Sequence, residues 1–255
     1  MSAVDLEIAE GIAEIRLNNP AKLNAFTIPM LGQFSGHLDR LERLPEVRCV
    51  IVTAQGERAF CAGADINAWG DLTPTEFARH WVRDGHRIFD RLARLSKPVI
   101  AAIAGHAFGG GLELAAACDI RIMAPSATIA LPEAHVGIVP GWSGTQRLAR
   151  LLPEPIIKEM ALFGRRISAE RAQALGFVAE VSAIPEQTAG EIARAVLGLS
   201  PRAVEVAKFM IHAGQGEDRG AMIEALGSAA ISASADRGEG VAAFRAKRKP
   251  AFSGE

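Results

Sequence analysis

The chain has 255 residues, of which 49% are hydrophobic and 22% are charged, and its formal net charge is −1. This length fits one large domain, or a core with a smaller appendage. The near-neutral charge gives no support to nucleic acid or an anionic membrane surface as a partner.

Cysteine usage and the N-terminal residues indicate a compartment. Cys49, Cys61 and Cys118 are odd in number and lack C-x-x-C spacing, which argues against a disulfide framework and against a structural zinc site. The first residues carry acids instead of the basic region of a secretion signal. No apolar run is long enough to span a bilayer. We therefore expect a reduced, cytoplasmic protein that uses no metal.

Short apolar stretches alternate with helical patterns over the first half of the chain. Strands are predicted at Ile12–Leu17, Val47–Thr53, Val99–Ile103, Ile120–Met123 and Thr128–Leu131. Helices are predicted over Ile28–Leu44 and from Thr73 to Leu95, the second starting with the capping sequence Thr-Pro-Thr-Glu. This alternation is typical of parallel βαβ units with helices covering the sheet. The last two strands could add an antiparallel element.

Beyond Pro140-Gly141 the pattern is mainly helical. Helices are predicted to start at Ser168, at Ser200-Pro201 and at Asp236, where Asp-Arg-Gly-Glu resembles a capping box. No linker or low-complexity segment divides the chain. We place a soft boundary near Gly190, which separates an α/β core carrying the active site (1–190) from a helical C-terminal region (191–255).

Three glycines, Gly109 to Gly111, directly precede a helix-forming run that carries Glu113. The N-terminus of a helix presents unpaired N–H groups and the positive end of the helix dipole. Glycines let a ligand approach that backbone closely. The segment therefore predicts a site for an anion or a developing oxyanion, with a carboxylate beside it.

Two further segments carry candidate chemistry. One is the small-residue loop Ala59–Ile66, which follows a buried strand, and the other is Leu131–Gly141, which contains Glu133. Loops that follow neighbouring parallel strands leave the sheet at its carboxyl edge, where ligands bind in open α/β folds. Backbone N–H groups from two loops could then converge on one oxygen.

The order of three motifs, AFCAGADI, KPVIAAIAGHAFGGGLELAAACDI and LPEAHVGIVPGWSGTQRL, resembles the crotonase family, the enoyl-CoA hydratase/isomerase group. The resemblance runs from Asn19-Pro20 to Lys249 and covers nearly the whole chain. It implies the α/β crotonase fold, shared with ClpP, of repeated ββα units with a helical C-terminal region. It also implies a homo-trimer, or a hexamer made of two trimers, in which the C-terminal region serves trimerisation and coenzyme A contact.

The resemblance also implies catalytic roles for four residues. Ala64 and Gly110 match the two N–H donors of an oxyanion hole, and Glu113 and Glu133 match the two carboxylates of members that hydrate enoyl-CoA. Two preset donors would stabilise the thioester enolate. Like charges at close range would leave one acid and one base near neutral pH. As a hypothesis, Glu133 is the main proton-transfer group and Glu113 orients and activates water, with acyl-CoA as substrate and no cofactor.

Other positions match the family's substrate-binding residues. Ala62, Asp65 and Ile66 match positions near the coenzyme A adenine and pantetheine, and Gly141 matches a glycine at the acyl end of the pocket. The remaining coenzyme A candidates are Lys22 and Ala25 in the segment 19–25, and Phe244 and Lys247 near the C-terminus. Trp142 stands where many relatives have a small residue, so it could shape the acyl pocket or pack in the core.

Several activities share such an oxyanion hole. Retention of both glutamates favours hydration of a 2-enoyl-CoA to a 3-hydroxyacyl-CoA over double-bond isomerisation. The alternatives are an isomerase, another crotonase reaction on a specialised acyl-CoA, and a non-catalytic acyl-CoA-binding protein. His106 and His135 match no catalytic position, and packing or hydrogen bonding is expected for them. Cys61 is expected to pack in its loop.

Overall fold

The computed structural model describes residues 3–217 and 219–255. In chain order its strands are β1 (Ala3–Ala9), β2 (Ile12–Asn18), β3 (Cys49–Ala54), β4 (Ala59–Cys61), β5 (Val99–Ile103), β6 (His106–Phe108), β7 (Ile120–Met123), β8 (Thr128–Ala130), β9 (Ile167–Ser168) and β10 (Glu180–Val181). The helices are α1 (Ile28–Arg43), α2 (Pro74–Glu76), α3 (Arg83–Ala93), α4 (Gly110–Ala117), α5 (Leu148–Leu151), α6 (Glu154–Phe163), α7 (Ala169–Ala174), α8 (Pro185–Val196), α9 (Pro201–Gly214), α10 (Arg219–Ser232) and α11 (Ala235–Ala246).

Within the described ranges the strands form two sheets. The larger has six strands in the order β1-β2-β3-β5-β7-β10, and all its pairs are parallel except the β1–β2 hairpin. The smaller has four strands in the order β4-β6-β8-β9, parallel except for β8–β9. Because β4 and β6 are parallel neighbours, the loops after them leave the smaller sheet side by side.

The central strands of the larger sheet are buried along their whole length because both faces are covered. On one face Cys49, Ile51 and Ile100 pack against Ala189 and Ala193 of α8. The residues between them, among them Val50, Val52 and Ala101, belong to the main core, which also holds the buried aromatic side chains of α1 and α3. This alternation explains why β3 and β5 are almost entirely apolar in sequence.

The predicted strands are present with ends shifted by up to two residues, but their pairing differs from one expectation. The suggested antiparallel element made of the strands near 120 and 128 is wrong. β7 pairs in parallel with β5, whereas β8 lies in the other sheet in parallel with β6. Long-range pairing decided this, because each of these short strands completes a different sheet.

Helix starts were predicted with mixed accuracy. The capping box of Thr73 and Glu76 is present, but the helix expected to run from there to Leu95 is interrupted by a π-helical turn at Phe77–Val82. Ser168 caps α7 as predicted. The last helix is capped by Ser234, whose side chain accepts from the Arg237 N–H, and not by Asp236 as predicted.

The chain divides into two compact units, Met1–Val204 and Glu205–Glu255. The predicted boundary near Gly190 falls inside α8, which covers one face of the larger sheet, so the division comes later. In the second unit, the Asp236 carboxylate accepts hydrogen bonds from the Ser253 and Gly254 N–H groups at 2.7 and 3.2 Å. Among the described residues, no helix combines the length and the apolar character that a bilayer crossing needs.

Candidate active site

Two backbone N–H groups, those of Ala64 and Gly110, lie at the edge where the β4 and β6 loops meet. Gly63 has φ 101°, and a Cβ atom on it would lie 3.2 Å from the Gly110 nitrogen. The two loops are therefore in direct contact. This close approach requires glycine at position 63, because a side chain would be both strained and obstructed.

Among the described residues, neither N–H group has a backbone acceptor that would compete with a ligand. Ala64 forms a parallel bridge with Phe26, in which the Phe26 N–H donates to Gly63 O and the Asp65 N–H donates to Phe26 O. Because N–H groups alternate in direction along an extended chain, the Ala64 N–H points away from Phe26. Gly110 is the first residue of α4, so its N–H has no carbonyl acceptor within the helix. Both residues line one cavity, where they can donate to a single oxygen.

That cavity has a volume of about 230 Å³ and a predominantly apolar lining. It is lined by Ala62, Gly63, Ala64, Ile66, Trp69, Phe77, Trp81, Val82, Gly109, Gly110, Glu113, Pro132, Glu133, His135, Val136, Ile138, Val139, Gly141 and Trp142. All four residues expected to be catalytic are in this set. The structure thus brings together three segments that are far apart in the sequence.

Glu113 lies on α4 and is almost fully buried beside the cavity. Its Oε1 accepts hydrogen bonds from the backbone N–H groups of Trp142, at 2.7 Å, and Gly144, at 2.6 Å. Burial, together with the nearby charge of Glu133, raises the pKa of the Glu113 carboxyl to about 7, although the two N–H donors act in the opposite direction. The carboxyl is therefore both fixed in place and able to change protonation state near neutral pH.

Glu133 opens a 3₁₀ turn, Glu133–Val136, that follows β8. Its Oε1 faces Gly109, since a Cβ atom there would lie 3.0 Å from this oxygen, and Gly109 has φ 51°. Its Oε2 is buried and, among the described residues, has no hydrogen-bond partner. Burial raises the pKa of the Glu133 carboxyl to about 7. The Glu133 carboxyl can therefore both take up and release a proton near neutral pH.

The loop that fixes Glu113 is itself strained and braced. Ser143, between the two N–H donors, has φ 88°, a left-handed conformation that residues other than glycine rarely adopt. Its Oγ lies 3.0 Å from Nδ1 of His86 on α3, and Arg147 is paired with Asp90 on the same helix at 2.5 Å. α3 thus holds the loop in the conformation that aims two donors at one carboxylate. No local sequence pattern marks His86 or Ser143 as part of the site, and only their place in the fold reveals them.

Trp142 belongs both to the cavity wall and to the core. Its indole packs against the rings of Phe26, Trp81 and Phe89, with centroids 6.1, 5.1 and 5.3 Å away. Its Nε1 donates to the Trp81 carbonyl oxygen at 3.2 Å. A Cβ atom on Gly85 would lie only 2.1 Å from that nitrogen, so glycine is required opposite it.

The remaining predicted substrate-binding residues are only partly brought together. Ala62, Ile66 and Gly141 line the cavity. Lys22 and Asp65 form an ion pair at 2.5 Å, which lowers the pKa of the Asp65 carboxyl, and Ala25 is buried. Phe244 and Lys247 lie at the end of α11 in the second unit, where the Phe244 ring is exposed.

The other candidate side chains have mostly structural contacts. Nδ1 of His106 accepts a hydrogen bond from the Thr128 N–H at 3.1 Å, and its ring stacks on Phe108. Burial raises the pKa of the Cys61 thiol to about 12, so it stays protonated and is no nucleophile. His135 borders the cavity and packs against Gly164.

The raised carboxyl pKa values predict that stability depends on pH. Between about pH 4.5 and 7 the folded protein holds protons that the unfolded chain has released, so stability falls as the pH rises through this range. Glu133→Gln stays neutral and avoids this loss. We expect this variant to exceed wild type in urea-unfolding free energy by about 2–3 kcal/mol at pH 8, with the difference shrinking towards pH 4. A difference independent of pH would contradict the prediction.

Comparison with known proteins identifies the family. Residues 7–255 match a sequence model described as enoyl-CoA hydratase/isomerase. The chain belongs to this family. A similar protein is the putative enoyl-CoA hydratase/isomerase YngF of Bacillus subtilis, which is 40% identical over 96% of this chain and 95% of its own length. The short-chain-enoyl-CoA hydratase of Clostridium acetobutylicum is 36% identical over 98% of this chain and 97% of its own.

Solved structures of this family share the fold. The enoyl-CoA hydratase from Bacillus anthracis superposes with a TM-score of 0.81 at 36% identity, covering 99% of both chains. The expected crotonase fold, an α/β core with a helical C-terminal region, is therefore confirmed. The relatives named as enoyl-CoA hydratases support a hydratase-type crotonase enzyme, and use of an acyl-CoA substrate fits the family.

Proposed function

We propose that this protein is an enoyl-CoA hydratase, which adds water reversibly and syn across the double bond of a 2-enoyl-CoA to give a 3-hydroxyacyl-CoA. The observation that carries the proposal is the meeting of two carboxyls, Glu113 and Glu133, with two outward N–H groups, Ala64 and Gly110, in one largely apolar cavity. Hydration needs this set, because charge develops on the thioester oxygen while water must lose a proton and C2 must gain one.

The N–H groups of Ala64 and Gly110 receive the thioester oxygen. As water adds to C3, the electron pair of the double bond moves towards C2 and this oxygen takes up negative charge as an enolate. Donors already in place cost no reorganisation at that moment, and losing one typically slows such reactions by about 10²–10³-fold. The start of α4 adds the positive end of the helix dipole.

The carboxyls handle water and its protons. Glu113 is held through Oε1 by two backbone N–H groups, which leaves its other oxygen to accept a hydrogen bond from the attacking water. The water oxygen bonds to C3, one water proton passes to Glu133, and C2 of the enolate takes a proton from Glu133. Atoms and charge balance over the cycle, and no metal or redox cofactor takes part.

The pKa values suit this division of work. With both carboxyls near pKa 7, one neutral and one ionised group coexist around neutral pH. Because both carboxyls line one cavity, hydroxyl and proton are delivered to the same face of the double bond in this proposal, which gives syn addition. We further propose that the protein acts in the cytoplasm as a homo-trimer or a hexamer of two trimers, with Lys22, Asp65, Phe244 and Lys247 contacting coenzyme A.

The test is the loss of the conjugated-thioester absorbance when purified protein meets crotonyl-CoA, with mass spectrometry of the product. A gain of one water, reversed when 3-hydroxybutanoyl-CoA is supplied, supports the proposal. Incubation with a 3-enoyl-CoA runs in parallel, because conversion of that substrate without hydration would identify an isomerase instead. Saturable binding of crotonyl-CoA without turnover would point to a non-catalytic acyl-CoA-binding protein.

A further inference from the structure

The cavity changes from an apolar mouth to an aromatic floor. At the mouth, Ile66, Val136 and Val139 are 49–77% exposed, whereas Trp81 and Trp142 at the floor are 4% and 3% exposed. The bulky coenzyme A moiety of a thioester must remain on the exposed side. With the thioester oxygen on the Ala64 and Gly110 N–H groups, the acyl group therefore extends towards the two tryptophans.

Trp142 stands directly behind the oxyanion-binding backbone. A Cβ atom on Gly110 would lie 2.8 Å from both Cε3 and Cζ3 of the Trp142 ring. At the other end of the indole, Nε1 touches Gly85 and donates to the Trp81 carbonyl oxygen. The ring is thus wedged between two glycines and anchored by a hydrogen bond.

The ring has no room to swing aside. Phe26 and Phe89 pack edge-on against it, with interplanar angles of 83° and 80°, and both are fully buried. Displacing such a ring would require its buried neighbours to move as well, since protein interiors are close-packed. Trp142 is therefore a fixed wall and not a gate.

We propose that Trp142 is the specificity-determining floor of the acyl site and limits the substrates to acyl-CoAs with short acyl groups. The cavity volume of about 230 Å³ agrees with this, since pockets for drug-sized ligands measure roughly 300–1,000 Å³. The inference rests on the proposed function for the reaction, but the length limit itself concerns binding alone.

The experiment measures binding and turnover against acyl length. Calorimetry gives Kd values for butanoyl-, hexanoyl-, octanoyl- and decanoyl-CoA, and hydration assays give kcat/KM for the matching 2-enoyl-CoAs. For wild type, both affinity and kcat/KM are expected to fall at least about 10-fold for each methylene group that does not fit in the cavity. The affinity for decanoyl-CoA relative to that for butanoyl-CoA is expected to rise about 100-fold in Trp142→Ala and about 10-fold in Trp142→Phe.

Trp69→Ala is the matched control. Trp69 also lines the cavity, but it is only half-buried and pairs with Phe77 at a centroid distance of 5.6 Å. Its removal is expected to change all Kd values by a similar factor and to leave the length preference as in wild type. The inference would be overturned if the dependence of Kd on acyl length changed in Trp69→Ala but not in Trp142→Ala. It would also be overturned if wild type bound decanoyl-CoA as tightly as butanoyl-CoA.

Two outcomes separate this inference from the proposed function. If hydration is absent but the Kd series keeps its dependence on Trp142, the proposed reaction fails and the length limit stands. If hydration is strong at all lengths in wild type, the reaction stands and the length limit fails. Should Trp142→Ala not fold, Trp142→Phe, which keeps an aromatic ring in the core, decides the question.

Discussion

Replacing Glu133 by Gln is expected to slow crotonyl-CoA hydration by about 10³-fold, within the range that positioned acid–base groups supply. The amide keeps the shape of the side chain but neither accepts nor returns the proton that passes between water and C2. Because Oε2 of Glu133 has no hydrogen-bond partner among the described residues, the substitution breaks no protein contact of that atom. The loss is expected mainly in kcat, with little change in the Kd of butanoyl-CoA.

Glu113→Gln tests the second carboxyl by the same assay. The amide oxygen can still accept from the Trp142 and Gly144 N–H groups, so the loop stays in place, whereas alanine would leave two buried donors unpaired. Since both carboxyls act on the same water, we expect the double variant to be hardly slower than the slower single variant. If the rate losses of the two single variants multiplied in the double variant, the two carboxyls would not act as a unit.

Glu186→Gln is the matched control for both variants. Burial also raises the pKa of the Glu186 carboxyl, but this residue begins α8 outside the cavity. The kcat of the Glu186→Gln variant is expected to equal that of wild type. If Glu133→Gln kept most of its hydration activity, as Glu186→Gln is expected to do, Glu133 would have no role in the proposed reaction.

Gly111→Ala is expected to lower the free energy of unfolding by about 3 kcal/mol, the upper end of ordinary overpacking. A Cβ atom on Gly111 would lie 2.1 Å from the Cys61 carbonyl oxygen and 2.8 Å from its carbonyl carbon. These are backbone atoms of β4, so no side chain can turn away to relieve the collision. The two loops would have to separate, which would also move the Ala64 and Gly110 N–H groups apart and reduce hydration.

Gly36→Ala separates this collision from the general effect of removing a helical glycine. Gly36 is exposed on α1, and a Cβ atom there would meet nothing within 4 Å. Alanine is expected to stabilise that helix by about 0.5–1 kcal/mol. Urea unfolding of the two variants should therefore give shifts of opposite sign. Equal stabilities would show that β4 and α4 do not approach as closely as described.

Local patterns predicted the elements whose physics is local. The Thr73 and Glu76 capping box was found because its two partners are three residues apart. The continuous apolar run at β5 was found because both of its faces are buried. The predicted antiparallel pairing is wrong, because strand pairing depends on neighbours distant in the chain. The predicted uninterrupted helix to Leu95 is also wrong, since a π-helical turn interrupts it.

The sequence by itself determined the family and the chemical groups of the candidate site: a glycine run that opens a helix, and the two glutamates Glu113 and Glu133. These depend on backbone freedom and side-chain chemistry, which are properties of each residue. Only the tertiary structure decided how these groups are held. It holds Glu113 through donors 29 and 31 residues away, braces Ser143 with His86, and sets Trp142 against Gly85. Such contacts follow from close packing between distant segments, which no local pattern specifies.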